Sequence, residues 1–364
     1  VNEFPIYQPH IERSVTGASL RLDPTSIEWG NGLLIRGTNW LGDALMTLPA
    51  AYKLAQFVPE PCGVFVMCPA GLAPLWEAAD WVDHVIPLEG KRADEATERK
   101  LWQLRPGVAA VFPNSFGAAR DVWRKGISRR IGRRGRWRGV MLTDRLPAWP
   151  RGHGVGQWHQ LSYYLEFPAI FGDNSWDANC PPLRIPDAQQ RAADCGITPE
   201  DHWLVLAPGA AYGPAKQWPA GRFAEVASWW AAERGRVAVV GTGHERAAGE
   251  LVVEEVPGVL NLAGKTDMVG LMAILTAAKA VVANDSGAMH LAAGLGRDGV
   301  AIFGSTDPIA TGPIGGRWII LQDPPDCAPC FERTCPRTEN RYECLERIAP
   351  DTVIQALQQL TTQS

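Results

Sequence analysis

From Leu33 onward, short apolar runs alternate with longer segments of helical spacing. "GLLIRG" (32–37) reads as a strand and "ALMTLPAAYKLAQFV" (44–58) as a helix. "CGVFVMCP" (62–69) is a second strand, followed by the helical "AGLAPLWEAADWV" (70–82). "HVIPL" (84–88) and "VAAVFPNS" (108–115) are the third and fourth. Runs this short, closed by Gly, Pro or polar turns, predict parallel strands joined by crossover helices. The pattern blurs between residues 120 and 185, and "PPLRIP" (181–186) reads as a linker. The rhythm then restarts more cleanly, from "HWLVLAPG" (202–209) through "RVAVVGTG" (236–243) and "KAVVANDSG" (279–287) to "GVAIFGST" (299–306). A last helix, "APDTVIQALQQL" (349–360), follows. The expected fold is α/β, with two Rossmann-like doubly wound domains and a cleft between them. The expected boundaries are an N-terminal extension over 1–32, polar, irregular and loosely attached, then domains over 33–183 and 184–364. Ligands in such sheets bind outside the carboxyl ends of the strands.

Composition sharpens this picture little. The 364 residues are 46% apolar and 20% charged, with a net charge of −4, which suits a globular chain of two domains. No apolar run approaches the ~20 residues of a membrane span. "VNEFPIYQPHIERSVTG" lacks the basic start and apolar block of a signal peptide, so the expectation is a cytoplasmic protein with reduced thiols. The fifteen tryptophans are read as packing residues.

Four segments bear on chemistry. In "KAVVANDSGAMHLAAGLG" (279–296) a strand ends in Asn284-Asp285, and Ser286-Gly287 open a helix. A helix start favours an anion such as phosphate, and His290 would stand one turn along the same face. Capping of the helix by Asp285 or Ser286 accounts for the same residues equally well. In "LAPGAAYGPAKQWPAGRFAEVA" (206–227) a loop after Pro208-Gly209 carries Lys216. A lysine at the strand tips can neutralise a diphosphate, although most lysines are merely solvated. "VVGTGHERAAGE" (239–250) opens like a dinucleotide fingerprint, but no third glycine follows Gly241 and Gly243. The run "RDVWRKGISRRIGRRGRWRG" (120–139) has nine Lys or Arg, one Asp and two interleaved tryptophans. Its density favours anion binding over a merely solvated run.

Cys327, Cys330, Cys335 and Cys344 have partly zinc-like spacing, and packing thiols or a disulfide are the stronger readings. No Asp-x-Asp, HExxH or Walker A pattern occurs, so no sequence motif speaks for a divalent metal on a nucleotide diphosphate. In "LLIRGTNWLGDALMTLPAAYKL" (33–54), Asp43 sits in a strand-to-helix turn, as a helix cap or a catalytic base.

Taken in order, "NWLGDALMTLPA", "FPNSFGAA", "RIGRRGRWRG", "PGAAYGPAKQWP", "NDSGAMHLAA", "FGSTDP" and "CAPCFERTCP" resemble glycosyltransferase family 9. These are the bacterial lipopolysaccharide heptosyltransferases, and the resemblance to the heptosyltransferase II branch runs from about residue 33 to 360. It implies a GT-B fold with an acceptor domain followed by a nucleotide-sugar domain. It implies inverting, metal-independent transfer of heptose from ADP-heptose to inner-core lipopolysaccharide, with no cofactor required. On that resemblance Asp43 is the general base and Lys216 faces the phosphates. Gly209, Gly241, Glu245, Asp285, Ser286, Gly287, Met289 and His290 are assigned to the donor. Asn39, Gly42, Ser115, Arg120 and Arg130 are assigned to the acceptor. An Asp of ordinary pKa ~3.9 is a weak base, which suffices if bond cleavage leads and the proton leaves late. Peripheral contact with the inner membrane surface is compatible with such an acceptor, and no nucleic-acid partner is expected. The alternatives are a nicotinamide-dependent oxidoreductase, against which the broken fingerprint argues, and a non-catalytic polyanion-binding protein using the basic run.

Overall fold

The computed structural model describes residues 3–90, 93–135, 137–149 and 156–362; Arg136 of the basic run lies outside them. Two compact units divide the chain: His10–Arg184, and Ile185–Ser364 together with Val1–Pro9.

The first unit holds strands β1 (Gly32–Arg36), β2 (Gly63–Pro69), β3 (His84–Leu88), β4 (Val108–Val111), β5 (Arg129–Arg133) and β6 (Asp144–Leu146). They form one parallel sheet in the order β3-β2-β1-β4-β5-β6. β1 and β4 are buried along their whole length, as strands covered on both faces must be. Leu34, Phe65, Met67, Ile86 and Val111 form one core with Leu101, Ala119 and Val122 from the covering helices. The strand order reverses between β1 and β4, so the loops leaving these neighbours run to opposite faces and leave a crevice at their carboxyl ends.

β5 falls inside the basic run, where the apolar pattern predicts no strand. The sequence "RRIGR" hides it because its last arginine is a core residue. Arg133 Nη2 lies 2.6 Å from Glu166 Oε2, and both side chains are only 2% exposed. Arg133 also donates to the carbonyls of Pro147 and Tyr163. Arg138, fully buried, donates through Nε to Arg133 O at 2.6 Å and through Nη1 to Pro113 O. Arg130 serves the carbonyls of Met141, Ile127 and Ser128. Arg129 pairs with Asp144, and Lys125 with Glu98. Most of the described cations of this run therefore hold the unit together through ion pairs or backbone carbonyls, whereas Arg120, Arg124 and Arg134 make no side-chain bond of either kind to a described residue, Arg124 acting on Glu98 only through its charge.

The second unit repeats the topology. β7 (Leu204–Ala207), β8 (Val237–Val239), β9 (Leu260–Asn261), β10 (Ala280–Asn284), β11 (Gly299–Ile302) and β12 (Trp318–Leu321) form a parallel sheet ordered β12-β11-β10-β7-β8-β9. The reversal lies between β7 and β10. Leu204, Leu206, Val282 and Ile302 pack with Phe223, Trp230 and Leu357.

The N-terminal segment is not loosely attached. Phe4 exchanges two backbone hydrogen bonds with the Gln359 side chain, at 2.7 and 2.8 Å. Ile6 bridges Ile319 antiparallel, and Tyr7 N donates to Trp318 O at 2.7 Å. Its continuation packs on the first unit: Trp29 is buried and stacks on Phe171, and Thr16 donates to Glu166 through both N and Oγ1 at 2.8 Å. The backbone of an extended edge segment finds its partners without any apolar periodicity in the sequence.

Glu166 thus carries two loads. Glu166→Ala leaves a buried guanidinium uncompensated, which costs about 3–5 kcal/mol. Urea unfolding of the variant should show a loss of that size, and a loss below about 1 kcal/mol would remove the pair from this role.

Candidate active site

The switch point of the second sheet gathers the residues assigned to a donor. β10 ends in Asn284, whose side chain ties the two neighbouring loops. Asn284 Nδ2 donates to Pro208 O at 2.6 Å, and Asn284 Oδ1 accepts from Trp218 N at 3.1 Å. The loop after β7 is thereby fixed against the end of β10. Lys216, on that loop, reaches Asp285 Oδ2 at 2.5 Å. Thr306 Oγ1 donates to the same oxygen at 2.6 Å. The Lys216 ammonium also stands 4.9 Å from the centre of the Tyr212 ring. An ammonium has three donors; Asp285 takes one and orients the others.

Ser286 caps the helix Gly287–Gly294, with Oγ accepting from Met289 N at 3.5 Å. The N–H groups of Gly287 and Ala288 remain uncommitted among the described residues, at the positive end of the helix. Capping and anion binding therefore coexist here, because the cap uses Ser286 Oγ and leaves those two donors. Met289 is fully buried and supports the helix from the core, so its side chain offers a ligand nothing.

Gly209 and Gly241 have a steric explanation. A Cβ on Gly209 would fall 2.1 Å from the Glu245 carboxyl group, and one on Gly241 would fall 3.0 Å from it. Glu245 itself closes a capping box: Oε2 accepts from Thr242 N at 2.7 Å and from Thr242 Oγ1 at 3.0 Å. Its assigned contact to a donor therefore competes with a local structural role.

The first unit's switch point holds Asp43. Trp40 is the N-cap of the helix Leu41–Ala55, without a side-chain cap bond, and Asp43 lies in the first turn. Asp43 is therefore not the capping residue. It stands near the Tyr164 phenol, whose pKa is raised by burial and further by the Asp43 charge. Arg36, buried at the end of β1, shapes the turn before it: Nη1 donates to Gly37 O at 2.5 Å and Nη2 to Asn39 Oδ1 at 3.1 Å. Its Nε lies 3.8 Å from Asp121 Oδ2. Asn39 is thus held by Arg36, and Gly42 lies in the first turn of the helix. Ser115 caps the helix Phe116–Trp123, with Oγ accepting from Ala118 N at 3.2 Å. Arg120 lies on that helix. Arg130 commits Nε and Nη1 to backbone carbonyls, so only its Nη2 is left outside those bonds.

A family model, "Glycosyltransferase family 9 (heptosyltransferase)", matches residues 98–340. The chain belongs to glycosyltransferase family 9. It is accordingly a glycosyltransferase, and its two parallel six-stranded sheets are the halves of a GT-B fold. It is 31% identical to lipopolysaccharide heptosyltransferase 2 of Salmonella typhimurium over 307 residues, 80% of this chain and 87% of that protein. Among solved structures it resembles E. coli ADP-heptose lps heptosyltransferase II, with a TM-score of 0.76 and 26% identity, covering 91% of this chain and 98% of that one. A family 9 glycosyltransferase from Veillonella parvula shares the fold, with a TM-score of 0.77 at 20% identity, covering 91% and 97%.

Within this family 9 chain, two polar atoms missed by sequence reasoning stand out. Thr38 Oγ1 and Asn114 Oδ1 are buried and lack a hydrogen-bond partner among the described residues. They follow β1 and β4, the two strands of the first switch point. Buried polar atoms are normally paired, so these two are exceptions at the carboxyl ends of neighbouring strands. Their one sequence signal was position, just past two predicted strands. The four clustered cysteines are free thiols lining one cavity with Ala215 and Arg337. Among the described residues no group of three or more His, Cys, Asp or Glu side chains is arranged to hold a metal ion.

Burial pushes the His290 imidazole down to about 4, against the opposing pull of Asp285; Lys216 adds to the lowering. The folded chain therefore prefers neutral His290. Stability from this group is fully present above the unfolded value of about 6.5 and is lost as pH falls toward 4. Thermal melts of the native chain should decline through that window, and His290→Asn should flatten the decline. A slope unchanged by the substitution would remove His290 as its source.

Proposed function

We infer that this chain transfers heptose from ADP-heptose to the inner core of lipopolysaccharide, by an inverting single displacement with Asp43 as general base. The observation that carries the reading is the placement of chemistry at the two switch points of a family 9 fold. Lys216, Asp285 and the Ser286-capped helix occupy one, and Asp43 the other. The relatives named heptosyltransferase 2 supply the sugar and the acceptor.

The acceptor hydroxyl oxygen attacks the anomeric carbon of the heptose. The bond from that carbon to the diphosphate oxygen breaks, and ADP departs with the bonding electrons. The hydroxyl proton passes to Asp43. Attack opposite the leaving group inverts the anomeric centre. The two unassigned donors of Lys216 and the N–H groups of Gly287 and Ala288 meet the growing negative charge on the diphosphate. In this scheme protein groups supply the positive field, so it calls for no divalent ion and no cofactor. On the acceptor side, Thr38, Asn114 and Arg120 are the groups offered to hydroxyls and phosphate, with Asn39 held in place by Arg36. Such an acceptor places the reaction at the cytoplasmic face of the inner membrane.

Asp43→Asn should retain ADP-heptose binding by calorimetry while turnover, followed by ADP release with deacylated core acceptor, falls at least about a hundredfold. Lys216→Met should instead weaken ADP-heptose binding by about 10- to 100-fold. Near-normal turnover by the Asp43 variant would end its assignment as base, and ADP release from no ADP-sugar would end the reaction itself.

A further inference from the structure

The helix Phe116–Trp123 has two faces of opposite character. Ala118, Ala119 and Val122 point into the core. Phe116, Arg120 and Trp123 follow one another at i, i+4 and i+7, the spacing of a single helix face. Phe116 is 48% exposed and Trp123 51%. This helix packs against the turn Arg138–Met141. On and beside that turn, Trp137 is 92% exposed and Val140 82%. These four large apolar side chains lie on the helix and the packed turn that carry or adjoin Arg120, Arg124 and Arg134, which make no side-chain hydrogen bond or ion pair to a described residue. Of the nearby acids, Asp121 is buried beside Arg36, and Glu98, paired with Lys125 and also drawn to Arg124, offsets only part of this positive charge.

We propose that this aromatic and cationic face docks the enzyme on an anionic phospholipid bilayer. Tryptophan settles at the level of the headgroups, where its ring is apolar and its N–H is wet. Arginine at that level is drawn to acidic lipid, by about fivefold in affinity for each cation near the surface. Single-stranded nucleic acid also takes aromatic and basic surfaces by stacking. Val140 decides between them, because an exposed aliphatic side chain offers a base no ring face and enters the acyl boundary readily. No described helix is long and apolar enough to span the membrane, so the attachment is peripheral. The proposal stands independently of the reaction: the docking face needs no acceptor bound.

The test is co-sedimentation of the full chain with vesicles free of lipopolysaccharide, made of phosphatidylethanolamine with or without phosphatidylglycerol. The expected result is binding to the phosphatidylglycerol vesicles alone. Trp123→Ser with Trp137→Ser, and separately Arg124→Glu with Arg134→Glu, should each lower it at least about tenfold. Leu251→Ser, at an exposed apolar position of the other unit, should leave it unchanged. ADP release with a soluble, deacylated acceptor should be unaltered in both double variants, which also shows them folded. Failure of the native chain to bind acidic vesicles overturns the proposal, as does binding that survives both double variants. Tighter binding of an oligonucleotide than of vesicles, or a dimer that the tryptophan pair abolishes, overturns it in favour of a different occupant. Loss of activity on the soluble acceptor would make the face an acceptor site instead. Failure of the transferase reading shows separately, as absence of ADP release in the native chain.

Discussion

The placement of every candidate site residue in this chain depends on the reversal of strand order in each sheet. A parallel strand must be followed by a crossover that packs right-handed on one face. Where successive crossovers switch face, adjacent strands send their loops apart, and the sheet edge between them stays open. β1 and β4 in one unit, and β7 and β10 in the other, are these adjacent strands. An open edge exposes backbone and side-chain polar groups with no regular partner. The second unit answers with Asn284, which, just past the last paired residues of β7 and β10, bonds both Pro208 O and Trp218 N. That single side chain sets where the Lys216 loop begins, and so where the ammonium meets Asp285. The first unit answers incompletely: Arg36 satisfies Gly37 and Asn39, while Thr38 Oγ1 and Asn114 Oδ1 find no partner among the described residues.

The same charge type plays opposite parts in the two units. Arg133 and Arg138 are buried and act as hydrogen-bond brackets, each joining segments distant in sequence. Taking them out of water is costly, so the stabilisation lies in the number of carbonyls they satisfy as well as in the Glu166 charge. Lys216 is less buried, 14% exposed, and pairs with an Asp285 that Thr306 also holds. A cation fixed by one carboxylate at the mouth of an open edge is preorganised for a second anion; a cation bracketed by carbonyls inside a core is not. Density of basic residues along the chain does not distinguish these cases, whereas burial and partner type do.

This explains what the sequence could show. Strands built from aliphatic runs were legible, because a strand covered on both faces must be apolar throughout. β5 was not, since its apolar content is Ile131 alone and its burial is achieved by pairing. The N-terminal segment was not, since Ile6 and Tyr7 join an edge through backbone bonds that leave little mark on composition. At the candidate site, Lys216, Asp285, Ser286 and Asp43 were legible as polar residues following predicted strands, and their roles rest on the family resemblance. The strand order that makes those positions significant is a tertiary property and was not written in any one segment. Arg130, Met289 and Glu245 were drawn in by proximity to motifs, and each has a structural occupation that only the packing discloses.

Asp43 is where the two kinds of information meet. A carboxylate just before an apolar helix is the commonest form of a helix cap, and on sequence grounds the base and the cap were equally good. The cap position belongs to Trp40, whose side chain makes no cap bond. Asp43 stands in the first turn, where a negative charge faces the positive end of the helix dipole. The same charge raises the pKa of the buried Tyr164 phenol. The choice between cap and first-turn residue therefore turns on where the helix begins, two residues before Asp43, a boundary that the apolar pattern alone does not mark.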